Sequence, residues 1–165
     1  MKQNVFFRLV IMVSLLLSTS LVMGQATLMH SYTFEDGTAN DGTGTAHGSL
    51  EGDATISDDG AVVLTGNGFV GLPGKQIDIP SYSTVSVEAV FKQGMGLEGL
   101  FSVLYAFGET NPDVDWMGID YFIFQPTRED NASRFSISCN DTESPWATED
   151  GINGKEIVDT NMHYV

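Results

Sequence analysis

Thr84-Val85-Ser86-Val87-Glu88-Ala89-Val90-Phe91-Lys92 carries the cleanest alternation in the chain. Val85, Val87, Ala89 and Phe91 point one way along an extended chain, while Ser86, Glu88 and Lys92 point the other. That period of two belongs to a β-strand with one buried face; a helix would repeat its apolar residues every three to four positions.

The same signal returns on either side in shorter runs. Leu28, His30, Tyr32 and Phe34 are expected to share one face of a first strand. Residues 61–64 and 69–72 read as two more, parted by the turn Thr65-Gly66-Asn67-Gly68. Residues 100–107 and 117–125 are more continuously apolar, as in strands covered on both faces, and 134–139 is a sixth strong candidate. Clusters of Gly, Asn and Asp at 36–48, 57–60, 94–99 and 109–115 supply the turns. Beyond residue 26 no long stretch has helical spacing, no repeat of fixed period occurs and no low-complexity linker intervenes. Residues 25–165 therefore read as one all-β domain, an antiparallel sandwich or barrel.

Composition narrows the class of partner. Twenty-two acidic residues against seven basic ones give a net charge of −15, which repels phosphate backbones and anionic membranes and so argues against nucleic-acid binding. A single cysteine, Cys139, excludes a disulfide-stapled miniprotein and a zinc site made of several thiolates. It reads as a small buried residue on a strand, since no basic cluster lies nearby in sequence to activate its thiol.

Residues 1–24 read as a secretory signal peptide. Lys2 and Arg8 make a positive start, residues 9–17 are apolar apart from Ser14, and small residues follow before Gln25. Ser18, Thr19 and Ser20 dilute the far end, which falls short of the roughly 20 apolar residues that a membrane span needs. The expected location is secreted, extracellular or periplasmic, with no membrane attachment after cleavage. At the other end, Asn161-Met162-His163-Tyr164-Val165 stops inside a strand-like stretch, so the domain's last strands are expected to be missing and core surface to be exposed.

His30-Ser31-Tyr32-Thr33-Phe34-Glu35-Asp36-Gly37 resembles the opening strand of laminin-G-like domains, members of the concanavalin A-like lectin/glucanase superfamily. The loop from Asn40 through Asp41, Gly42, Gly44 and His47 to Gly48 is similar to that family's Asp-Ser-x-Gly-x-x-His/Asn-Gly turn. Gly66-Asn67-Gly68-Phe69-Val70-Gly71-Leu72-Pro73 resembles its Gly-x-Gly-aromatic-Val-x-Leu-Pro strand, and His163-Tyr164-Val165 the start of its Trp-His-His-Val-Ala strand. The resemblance implies a jelly-roll β-sandwich, often with one calcium ion on its rim, that binds extracellular glycans or cell-surface and matrix proteins. Some relatives on this fold hydrolyse polysaccharides, and fold alone does not choose among these activities.

Three kinds of site bear on function. Calcium takes six to eight hard oxygen ligands from flexible loops. Glu35, Asp36 and Asp41 lie in one strand-to-loop passage, and Asp41 matches the family's loop acid, so these three are the expected ligands. Glycoside hydrolysis generally needs two carboxyl groups at a set separation. Glucanases of the superfamily carry them as Glu-x-Asp-x-(x)-Glu, a pattern missing from these residues, so the chain is expected not to be an enzyme. Sugar binding uses exposed aromatic rings that stack on pyranose C–H groups. Trp146, in a polar stretch after Pro145, and Trp116, after an acidic loop, are the expected carbohydrate contacts. The leading reading is a non-catalytic carbohydrate-binding or adhesion module. Its alternatives are a glycoside hydrolase whose catalytic strand lies beyond Val165, and a protein–protein adhesion module.

Overall fold

The computed structural model of the chain describes residues 26–96, 100–110, 118–139 and 148–165. Among the described residues strands dominate, and the one α-helix is a single turn. Packing gathers into two compact units, one ending at Ile77 and the other beginning at Asp78. Asp78 itself sits in the left-handed region with φ 49°, a conformation uncommon outside glycine but more frequent for Asp and Asn than for other residues.

The first unit is built from short antiparallel pairs. β1 (Ser49–Glu51) pairs with β4 (Phe69–Gly71), and β2 (Thr55–Ile56) pairs with β3 (Val62–Val63) between them in sequence. The inner hairpin closes as its sequence indicates. The Ser57 N–H donates to Ala61 O at 2.8 Å, the Gly60 N–H donates to Ser57 O at 3.0 Å, and Gly60 takes φ 79°, which a glycine adopts without steric cost. α1 (Gly74–Ile77) follows Pro73 and buries Ile77.

The expected first strand does not form. Residues 26–34 belong to no ladder, Leu28 is 68% exposed, and Phe34 turns the chain with φ 61° so that the Gly37 N–H reaches Phe34 O at 3.0 Å. Ser31 spends its backbone groups on the following loop instead: its carbonyl accepts the Gly42 N–H at 2.7 Å.

The second unit opens with the 3-10 turn Ile79–Ser81 and centres on a four-stranded antiparallel meander. β6 (Tyr105–Thr110), β7 (Gly118–Gln125), β8 (Ala132–Cys139) and β9 (Asp150–Lys155) pair in chain order, as antiparallel neighbours joined by local connections do. Register decides the faces, because directly opposed residues in antiparallel strands share a side. Tyr105↔Phe124↔Phe135↔Ile152 and Phe107↔Phe122↔Ile137 run across one face. The aromatic members pack on one another, with Phe107 stacked on Phe122 at 5.2 Å and Tyr105 on Phe124 at 5.9 Å between ring centroids. Such pairs add about 0.5–1.5 kcal/mol each beyond their buried area.

A two-stranded ribbon covers part of that face. β5 (Val90–Phe91) pairs with β10 (His163–Tyr164), and reciprocal bonds between Ala89 and Val165 extend it. Phe91 lies edge-on to Phe124 at 6.5 Å, leaving Phe124 only 8% exposed. Cover fades across the sheet, to 45% exposure at Ile137 and 76% at Ile152. The alternating stretch 84–92 thus enters a ladder only at its last pair of apolar residues, since pairing needs a partner strand and alternation alone supplies none. Cys139, expected to be buried, is exposed at the end of β8, on the apolar side that the ribbon leaves open.

Candidate functional site

Two polar clusters stand out, one in each unit. In the first, a loop has folded around a single carboxylate. Asp41 follows Asn40 in a run of small residues, Gly42-Thr43-Gly44-Thr45-Ala46, whose backbone can curl tightly. Its Oδ1 accepts the N–H groups of Ser31, Thr43 and Gly44 at 3.1, 3.0 and 2.9 Å. Its Oδ2 accepts the Ala46 N–H at 3.3 Å and the His30 Nδ1–H at 2.7 Å. The side chain of Asp41 has no exposed surface.

Burial alone would raise this carboxyl's pKa. The bonds from His30, Gly44, Ser31 and Thr43 outweigh it and hold the group well below the usual carboxylate range. Two further bonds complete the loop: the Asp41 N–H donates to His47 Nδ1 at 3.1 Å, and the Tyr32 O–H donates to Ala46 O at 2.6 Å. Burial, then the nearby Asp41 charge, pushes the Tyr32 phenol up. Gly44 has no room for a side chain, because a Cβ there would stand 2.6 Å from Asp41 Oδ2.

The three expected calcium ligands do not converge. Asp41 turns both oxygens toward N–H donors, which a cation cannot replace. Asp36 caps its own turn, where Oδ1 accepts the Thr38 N–H at 2.9 Å and the Thr38 hydroxyl at 2.7 Å, and Glu35 is exposed. Among the described residues no three His, Cys, Asp or Glu side chains come together as a metal would require. The donor set around Asp41 does not fit calcium.

The second cluster lies on the sheet face opposite the aromatic rows. Tyr121↔Ser138, Ile123↔Ser136↔Gly151 and Gln125↔Arg134↔Asn153 occupy it. Glu149, just before β9, ties the cluster together: Oε1 accepts the Arg134 Nε–H at 2.9 Å and Oε2 accepts the Tyr121 O–H at 2.6 Å. Arg134 Nη1 also donates to Asn153 Oδ1 at 2.8 Å. Burial, then the Glu149 bond and charge, pushes the Tyr121 phenol up. Beneath these groups Ser136 is fully buried, and its Oγ has no hydrogen-bond partner among the described residues. A hydroxyl left so costs about 1–3 kcal/mol unless water or a ligand meets it.

This cluster is not among the residues expected from sequence. One signal points to it: Arg134, Ser136 and Ser138 alternate with Phe135, Ile137 and Cys139, so one side of β8 had to be polar. Glu149 lies outside any patterned run and carries no such mark. Trp116 and Trp146, the expected sugar contacts, lie outside the described residues, as does the expected signal peptide. No helix of the described residues is long and apolar enough to cross a membrane. No family model matches the chain, and no curated protein or solved structure matches it.

Proposed function

We propose that this chain is a secreted carbohydrate-binding module of the laminin-G-like type, a jelly-roll β-sandwich that acts by binding and not by catalysis. The observation that carries this reading is the two-sided sheet of the second unit. One side is apolar, as a layer that packs on another layer must be. The other presents Tyr121, Arg134, Asn153 and Glu149 in fixed register.

Groups so held suit a polyhydroxylated ligand. Among the described residues Arg134 has N–H donors, and Glu149 lone pairs, beyond the bonds given above, and the Asn153 amide N–H₂ complements the oxygen taken by Arg134. Because the network already holds these side chains, a sugar binding there meets little further ordering cost. Trp146, a few residues before Glu149 in sequence, is the proposed stacking ring, and Trp116 a second. The N-terminal 24 residues act as the export signal, and calcium has no part at Asp41 in this reading.

A glycan array probed with the purified chain tests the proposal. Asn153→Ala is expected to weaken retention of the same glycans at least about tenfold, the loss of one or two ligand hydrogen bonds, with melting changed by only a few degrees. Silence of the wild-type chain across the array would overturn it. A second reading, adhesion to a protein, draws on the exposed Phe135, Ile137 and Ile152. Array silence combined with saturable capture of one purified matrix protein would favour it.

A further inference from the structure

We infer that the loop from Asp41 to Ala46 is an anion cradle occupied by the chain's own carboxylate, and that it closes without a divalent cation. The four N–H groups of Ser31, Thr43, Gly44 and Ala46, with His30 Nδ1–H, converge on Asp41 from both sides of the loop. Partial positive charges surround the site where a calcium ion would need oxygen atoms. The carboxylate does here what a metal does in other loops: it gathers distant backbone segments onto one centre. It joins residues 30–31 to residues 43–46, and Gly42, bonded to Ser31 O, repeats the link beside it.

Two details support an internally filled cradle. The space is closed around the carboxylate, since even a methyl group at Gly44 would press on Oδ2 at 2.6 Å and on His30 Nδ1 at 3.2 Å. The fit also extends to the backbone of the acid itself, whose N–H donates to His47 Nδ1, so the residue is held at main chain and side chain alike. An isolated Asx turn, such as that at Asp36, satisfies one oxygen only.

A cradle emptied of its own anion should accept another of similar shape. In the full chain, Asp41→Ala is expected to lower the melting temperature by at least about 5 °C, in keeping with the loss of a buried, multiply bonded carboxylate. Formate should restore part of that loss in a concentration-dependent way, because a ligand specific to the native state stabilises it. Chloride at the same ionic strength should not, nor should calcium chloride. Wild-type melting should be unchanged between chelator and millimolar calcium.

Failure of formate to shift the folded variant overturns the inference, and so does a calcium-dependent rise in wild-type melting. If Asp41→Ala does not fold, amide resonances of the wild-type chain decide. Thr43 and Gly44 unmoved by calcium support the cradle, whereas saturable shifts at those two amides refute it.

Discussion

The Asp41 loop and the four-stranded meander achieve order by opposite means. In the meander the backbone groups bond one another along ladders, and side chains are free to sort into an aromatic face and a polar face. In the loop the backbone has almost no ladder, and one side chain collects the N–H groups instead. A buried N–H must find an acceptor in either case. What differs is how widely the loss of one residue spreads: a ladder shares its bonds among many residues, while the loop concentrates them on one.

The largest test of that contrast falls on the packed face. Phe124→Ala removes the ring that meets Tyr105 and Phe91, and is expected to cost about 3–4 kcal/mol in denaturant unfolding. An effect below about 1 kcal/mol would mean the ribbon does not pack on the sheet in solution. Next comes Gly44→Ala, a single added methyl that must displace the Asp41 carboxylate or the backbone. About 1–3 kcal/mol is expected, with hydrogen exchange quickened at Thr43 and Ala46 and unchanged along β7 and β8. Equal quickening in both units would erase the distinction between them.

Acid separates the regions more gently. The Asp41 carboxyl has a depressed folded pKa, so its contribution is fully present above the ordinary aspartate value near 4 and is lost as pH falls through the lower folded value. Protection of the Thr43 and Gly44 amides, taken relative to the intrinsic exchange rate at each pH, should stay flat from about pH 8 to 5 and fall only below about pH 4, the β8 amides lagging behind. Loosening that begins well above about pH 5 would mean that the Asp41 carboxyl does not hold the loop closed. The smallest effect is expected at Ile152→Ser. At 76% exposure this side chain contributes little to folding, so stability should move by under about 0.5 kcal/mol while self-association at high concentration falls.

Much of this organisation was legible in the residues. Strands β7 and β8 follow apolar and alternating runs closely, and the hairpin at 57–60 follows its turn chemistry. The stretch 84–92 reads as the clearest strand and yet is laddered only at Val90 and Phe91, because a pattern describes what one strand offers and not which partner arrives. Residues 28–34 have the right alternation, but Phe34 adopts a positive φ and Ser31 bonds to the Asp41 loop. Asp41 was conspicuous as the acid of a glycine-rich loop. Composition could not reveal that its lone pairs would meet N–H donors, since aspartate serves cations and amides with the same atoms. Glu149 was illegible for a plainer reason: its two partners, Tyr121 and Arg134, are 28 and 15 residues away in sequence.

Cys139 gives the molecule an experimental convenience. It is the chain's single cysteine, it is exposed, and it faces Asp120 across the β7–β8 ladder at the margin of the apolar rows. A maleimide fluorophore attached there marks one known position without mutagenesis. Its emission colour would register whether that margin is wet or covered whenever a candidate partner is added.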